Sequence, residues 1–112
     1  MGEGGKLMLT DQIALVTGGS RGIGRAIAQK LAANGAKVVV NYAGNEQKAD
    51  ETVNSIIAAG GEAIKIKADV SKETDVKAMI KQTLDAFGRI DVLVNNAGIT
   101  RDNLIMRMSE ED

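Results

Sequence analysis

The chain has 112 residues, 44% hydrophobic and 26% charged, and its 14 basic and 15 acidic side chains leave a formal net charge of −1. This suits one domain with one core and gives no basic footprint for nucleic acid or an anionic membrane. With no cysteine and no histidine, a disulfide framework, a thiolate metal site and the commonest general base are excluded, and no metal set is expected.

Met1 to Lys6, M-G-E-G-G-K, is glycine-rich and aperiodic. Residues 1–8 are expected to be a flexible lead, with Met8 an alternative start. A first strand is expected over Gln12 to Thr17, ending the apolar run Ile13 to Val16. Glycines at 18, 19, 22 and 24 follow, then a helical pattern over Gly22 to Asn34 with Ile23, Ile27 and Leu31 on one stripe. Strand, glycine turn and helix in that order put backbone N–H groups and a helix N-terminus against a phosphate. The spacing Gly18-x-x-x-Gly22-x-Gly24 departs from the usual G-x-G-x-x-G. A phosphate loop of the NTPase type would end in Gly-Lys-Ser/Thr, where this chain has Gly24-Arg25-Ala26. The alternative is a tight turn that binds nothing; the flanking strand and helix favour binding.

The unbroken Val38-Val39-Val40 within Lys37 to Tyr42 predicts a second strand buried on both faces, as in a parallel sheet. Asn45 can cap a second helix, Glu46 to Ala59, with Ala49, Val53, Ile56 and Ile57 on one face. A third strand, Ala63 to Val70, alternates apolar residues with Lys65 and Lys67, which suggests an edge. Ser71 is the expected cap of a third helix running to about Phe87, with Val76, Met79, Ile80, Thr83, Leu84 and Phe87 at helical spacing. Ile90 to Asn95 is the fourth strand. The order βαβαβαβ calls for an α/β Rossmann-type parallel sheet flanked by helices, strand order 3-2-1-4, half of a doubly wound fold. Residues 96 to 108 carry little period. Ser109-Glu110-Glu111-Asp112 then reads as the start of a further helix, so residues 9–112 are expected to be a truncated half-domain.

Thr17-Gly18-Gly19-Ser20-Arg21-Gly22-Ile23-Gly24, Asp69-Val70 and Asn95-Asn96-Ala97-Gly98 together resemble the three N-terminal motifs of the short-chain dehydrogenase/reductase family. The stretch Ile99 to Met108 is similar to bacterial 3-oxoacyl-[acyl-carrier-protein] reductases of fatty-acid synthesis. The likeness runs from about Leu9 to Asp112, the N-terminal half of such an enzyme. It implies that Thr17, Gly18, Ser20, Arg21, Gly22, Ile23 and Gly24 line the diphosphate and adenosine ribose. Asp69 and Val70 would hold the adenine, and Asn96, Ala97 and Gly98 would pass beneath the ribose next to nicotinamide. Without the resemblance, Asp69 reads as a turn residue and Asn95 to Gly98 as a strand-ending turn.

NAD specificity usually needs an acid at the end of the second strand. Asn41-Tyr42-Ala43 offers no carboxylate there, so NADP(H) is expected, with Asn41 at the 2′ position and Arg21 pairing the 2′-phosphate. On that basis Asn41→Asp should favour NAD. The family's catalytic Tyr-x-x-x-Lys is missing: the single tyrosine is Tyr42, and position 46 is glutamate. No catalytic residue is therefore expected here. The parent enzyme would reduce an acyl-carrier-protein-bound 3-oxoacyl thioester with NADPH, while this chain would bind the cofactor weakly or not at all. No membrane partner is expected, since no apolar run approaches the roughly 18 residues of a span, and cytoplasm is the default. Exposed apolar faces and a fourth strand left as an edge predict a homodimer or larger self-association. The rival readings are an excised half-Rossmann scaffold or interaction module without cofactor, and a receiver or flavodoxin-like domain, which would want more than Asp69 as its acidic cluster.

Overall fold

Short apolar runs, such as Ile13 to Val16 and Val38 to Val40, and the alternating stretch Ala63 to Lys67 become strands of the sheet. The computed structural model describes residues 9–19 and 22–96, with the backbone of 104–107. In chain order the elements are β1 (Ile13–Thr17), α1 (Gly22–Ala33), β2 (Lys37–Tyr42), α2 (Glu46–Ala58), β3 (Glu62–Lys67), α3 (Glu73–Phe87), β4 (Val92–Asn95) and β5 (Leu104–Arg107). The sheet order is β3-β2-β1-β4-β5. The first four strands are parallel and follow the expected 3-2-1-4, with Val16 opposite both Val40 and Val94. The fold is Rossmann-type.

Successive residues of β1 and β2 feed opposite faces, because side chains alternate along a strand. Ala14, Val16, Val38 and Val40 pack with Ala28 of α1 and with Ala49 and Ile56 of α2. Leu15, Val39, Ile66 and Ala68 pack with Met79 of α3 on the other side. The triple valine is buried throughout, as its lack of alternation requires. β3 forms one edge, and its Lys65 ammonium reaches across to Asp50 and Glu46 of α2. Those two carboxylates, Asp50 first, raise the Lys65 pKa well above its ordinary value.

Four expectations are corrected. Residues 104–107 form an antiparallel strand against β4, with Asn95 opposite Leu104 and Val92 opposite Arg107, so β4 is not an edge. A four-residue strand, Leu-Ile-Met-Arg, is too short to show a period. Strand three ends at Lys67 rather than Val70. Ser71 does not cap α3: the cap position is Lys72, without a side-chain bond, and the Ser71 hydroxyl turns back to Asp69. One member of each helix stripe also turns outward. Ile23, Ile57 and Leu84 are 67%, 53% and 43% exposed. Gly24 and Thr52, which the stripes left out, are buried, while Met79 and Thr83 of the expected α3 stripe are buried as read; the two threonines satisfy their hydroxyls on Lys48 O and Met79 O. Asn45 caps α2 as expected, accepting from Lys48 N at 3.0 Å.

The start of β1 is held by a carboxylate. Asp91 is 4% exposed. Its Oδ2 accepts from Ile13 N at 2.8 Å and its Oδ1 from Arg89 Nε at 2.9 Å. The charge is thus buried with both a cation and a backbone donor, the condition under which burial is tolerated.

Candidate dinucleotide site

The carboxyl ends of β1, β2 and β4 lie side by side. From β1 the chain moves outward through α1 to β2 and β3; it returns over the opposite face through α3 to β4. The crevice between the ends of β1 and β4 is therefore a topological switch point, where open α/β sheets bind ligands.

Thr17 latches the two sides of that crevice. Its hydroxyl accepts from Asn96 N at 2.8 Å and donates to Val94 O at 3.2 Å, with Asn95 Oδ1 at 3.3 Å. Asn96 Nδ2 then donates to Gly18 O at 3.3 Å. The turn itself is tight. Gly18 and Gly22 have φ of 64° and 61°, values that side chains disfavour. At Gly24 a Cβ would stand 2.0 Å from Gly18 O and 2.5 Å from Asn96 Nδ2. Glycine is required there because α1 runs directly against the turn. The first N–H groups of α1, from Gly22 on, have no partner inside the helix and form the positive end of its dipole.

Two of the turn's amides are already engaged: Gly18 N donates to Asn41 Oδ1 at 3.1 Å and Gly19 N to Asn41 O at 3.0 Å. Asn41 is 2% exposed, and its Nδ2 donates to Ala68 O at 3.1 Å. Sequence reasoning placed Asn41 against the cofactor's 2′ position. The structure instead seals its amide between β1 and β3, because both ends of the amide satisfy backbone groups of neighbouring strand ends.

Asp69 sits where the chain leaves β3 and is half-buried. Its Oδ1 accepts from Ser71 N at 3.0 Å and Ser71 Oγ at 2.6 Å, so Ser71 makes no use of Oδ2. The Ser71 hydroxyl, and then its N–H, hold the Asp69 carboxyl below the usual carboxylate range, since both bonds favour the charged form. Asp75 Oδ2 accepts from Asp69 N at 2.9 Å and braces the loop. Val70 borders a cavity of about 90 Å³ between α3 and the ends of β1 and β4, with Thr17 and Asn95 on its polar side and Met79 and Leu93 among its apolar walls. Ile23 projects from the first turn of α1.

The structure thus brings together Thr17, Gly18, Gly22, Ile23, Gly24 and Asn96 at the switch point, with Asp69 and Val70 beside it. Ser20, Arg21, Ala97 and Gly98 lie outside the described residues. Tyr42, 8% exposed, belongs to the core, and Glu46 four residues on is spent on Lys65. Among the described residues no group of three acidic side chains could hold a metal, and no helix is long and apolar enough to cross a membrane. Sequence reasoning missed the Thr17–Asn96 latch and the structural task of Asn41. The available signal was a polar residue closing each of three otherwise apolar strands.

A family model described as short chain dehydrogenase matches residues 12–112. The chain belongs to the short-chain dehydrogenase family. It is 62% identical over 104 residues to a 3-oxoacyl-[acyl-carrier-protein] reductase of Synechocystis sp., covering 93% of this chain and 42% of that protein. A reductase of the same name from Staphylococcus aureus is 58% identical over 99 residues, covering 88% of this chain and 40% of its own length. Among solved structures, a short chain dehydrogenase of Burkholderia cenocepacia in complex with NADP superposes with a TM-score of 0.77 at 48% identity, covering 81% of this chain and 37% of that one. The chain therefore spans about two fifths of the length of these curated relatives.

The residues present fit a dinucleotide. A glycine that admits no Cβ, with a helix N-terminus beside it at a switch point, is the arrangement that a pyrophosphate takes.

Proposed function

We propose that this chain is the NADP(H)-binding part of a 3-oxoacyl-[acyl-carrier-protein] reductase. The observation that carries the reading is the contact of α1 with the turn at Gly24, where a side chain would strike Gly18 O and Asn96 Nδ2. That packing aims the helix's first amides at the crevice where the relatives' family places its cofactor. Similarity to reductases in Synechocystis and Staphylococcus aureus supports the substrate class.

When bound, the dinucleotide supplies a hydride. The amides of Gly22, Ile23 and Gly24 would hold its pyrophosphate, Asp69 would accept from the adenine amino group, and Val70 would pack against the ring. Asn96, fixed by Thr17 and Gly18, would support the ribose next to nicotinamide. The strand end Asn41-Tyr42-Ala43 carries no carboxylate to repel a 2′-phosphate, and Arg21 would pair with it. Reduction also needs a proton at the substrate's 3-oxo oxygen. Tyr42 is buried in the core and is followed four residues on by Glu46, not by a lysine, so this chain binds cofactor without turning over substrate.

A second reading is a scaffold that binds no nucleotide. It is favoured by Gly18 N and Gly19 N, two amides of the turn that are spent on Asn41. Fluorescence titration of the pure chain with NADPH and NADH separates the two. Saturable NADPH binding, tighter than NADH, supports the proposal, and no binding supports the scaffold. Steady NADPH oxidation on adding a 3-oxoacyl thioester would contradict the assignment of catalysis to residues outside this chain.

A further inference from the structure

Asn41 occupies an unusual place. The loops leaving β1 and β3 depart to opposite faces of the sheet, one into α1 and the other into α3. Asn41, at the carboxyl end of the strand between them, touches both. Its Oδ1 accepts from Gly18 N at 3.1 Å, and its Nδ2 donates to Ala68 O at 3.1 Å, with Ile66 O at 3.4 Å. Gly18 opens the turn, and Ala68 immediately precedes Asp69. An asparagine amide carries an acceptor and a donor on one rigid plane. The partners fix its orientation, since an N–H faces one end and carbonyls face the other. The backbone adds a parallel pair of bonds, Gly19 N to Asn41 O at 3.0 Å and Ala68 N to Tyr42 O at 2.9 Å.

We propose that Asn41 is a positioning residue that holds the turn after β1 and the loop after β3 in one register, so that a pyrophosphate and an adenine from the same ligand meet their sites together. This rests on the dinucleotide reading above and revises one part of it. Asn41 does not read the 2′ position, and cofactor choice lies with other groups. At 2% exposure its amide reaches no ligand. Aspartate in its place keeps the acceptor for Gly18 N but sets a second oxygen against Ala68 O, a buried charge facing a carbonyl. Alanine removes both bonds.

The test compares the wild-type chain with Asn41→Asp and Asn41→Ala, using ADP-ribose, NADPH and NADH as calorimetric probes below the melting temperature of each variant. ADP-ribose carries the adenine and pyrophosphate without a 2′-phosphate or nicotinamide. Each variant is expected to lose affinity for all three probes by a factor common to the three, roughly tenfold or more, since alanine removes both buried bonds and aspartate breaks the one to Ala68 O. The NADPH to NADH ratio stays at its wild-type value. In ¹H–¹⁵N spectra of the ligand-free Asn41→Ala chain, the Gly18, Gly19, Ala68 and Asp69 amides move while those in α2 hold still, a local signature that general destabilisation does not give. A shift of Asn41→Asp towards NADH, or unchanged affinity in both variants, overturns the proposal and leaves the dinucleotide reading standing. A wild-type chain that binds none of the probes removes both. Should neither variant fold, the wild type decides: the Asn41 side-chain resonances coincide in the NADPH and NADH complexes if it is a positioning residue, and differ if it touches the 2′-phosphate.

Discussion

Gly24→Ala sets two opposed effects against each other at one atom. In an open helix, replacing glycine by alanine gains about 1 kcal/mol of helix propensity. Here the added Cβ would lie 2.0 Å from Gly18 O and 2.5 Å from Asn96 Nδ2. The first neighbour is backbone in a turn whose next amides are bonded to Asn41, so it cannot swing aside as a side chain end would. Overpacking of this kind costs about 1–3 kcal/mol, and a clash with fixed backbone belongs at the upper end. Setting about 3 against about 1 leaves a net loss of about 2 kcal/mol, which lowers Tm by about 8–16 °C for a domain near 100 residues. The clash also pushes α1 away from the crevice, so NADPH affinity should fall by more than the loss of stability alone requires. Thermal melting by circular dichroism and fluorescence titration read the two effects. An alanine variant with unchanged or raised Tm would refute the close approach of helix and turn. Unchanged affinity would refute the placement of the pyrophosphate.

Thr17→Val keeps the shape of the side chain but leaves Asn96 N without its acceptor at 2.8 Å. Urea unfolding should register a loss of about 1–3 kcal/mol, and no loss would mean that the latch is idle. Ser71 depresses the Asp69 pKa, so the stabilisation from Asp69 is present above its unfolded value of about 3.9 and is lost as pH falls through the lower folded value. Asp69→Asn should therefore show a smaller drop in Tm between neutral and strongly acidic solution than the wild type; an equal drop would contradict the role of Ser71. Leu84 is exposed, and a cavity stays open beside Met79 and Leu93 on the α3 face. Multi-angle light scattering should accordingly find a homodimer or larger assembly at high concentration, and a monomer throughout would count against it.

The sheet order was legible because its signals are local. Val38-Val39-Val40 could only be a strand buried on both faces. Gly35, Gly60 and Gly88 mark where helices stop, and short connections with right-handed crossovers left 3-2-1-4 as the arrangement to expect. The helix faces were legible to within one position. Ile23 and Ile57 fitted the apolar stripe, yet each lies about 100° round from a neighbour that faces the core, Gly24 and Ile56 respectively. The site was half legible. Glycine spacing marked the turn, because the need for a missing Cβ is written in the sequence. The partners of Asn41, Thr17 and Asp91 were not, since each bonds backbone brought near by the sheet from 23 to 79 residues away. β5 was missed because three apolar residues and an arginine carry no period of their own.

Resonance mapping of NADPH onto the ¹⁵N-labelled chain tests the central claim most directly. The amides of Gly22, Ile23, Gly24, Asp69, Val70 and Asn96 should shift together and saturate at one concentration, while Ser55 and Ile56 of α2 stay in place. Spectra that do not change at millimolar NADPH, or that change along α2 and not at the turn, would contradict a dinucleotide site at the β1–β4 switch point.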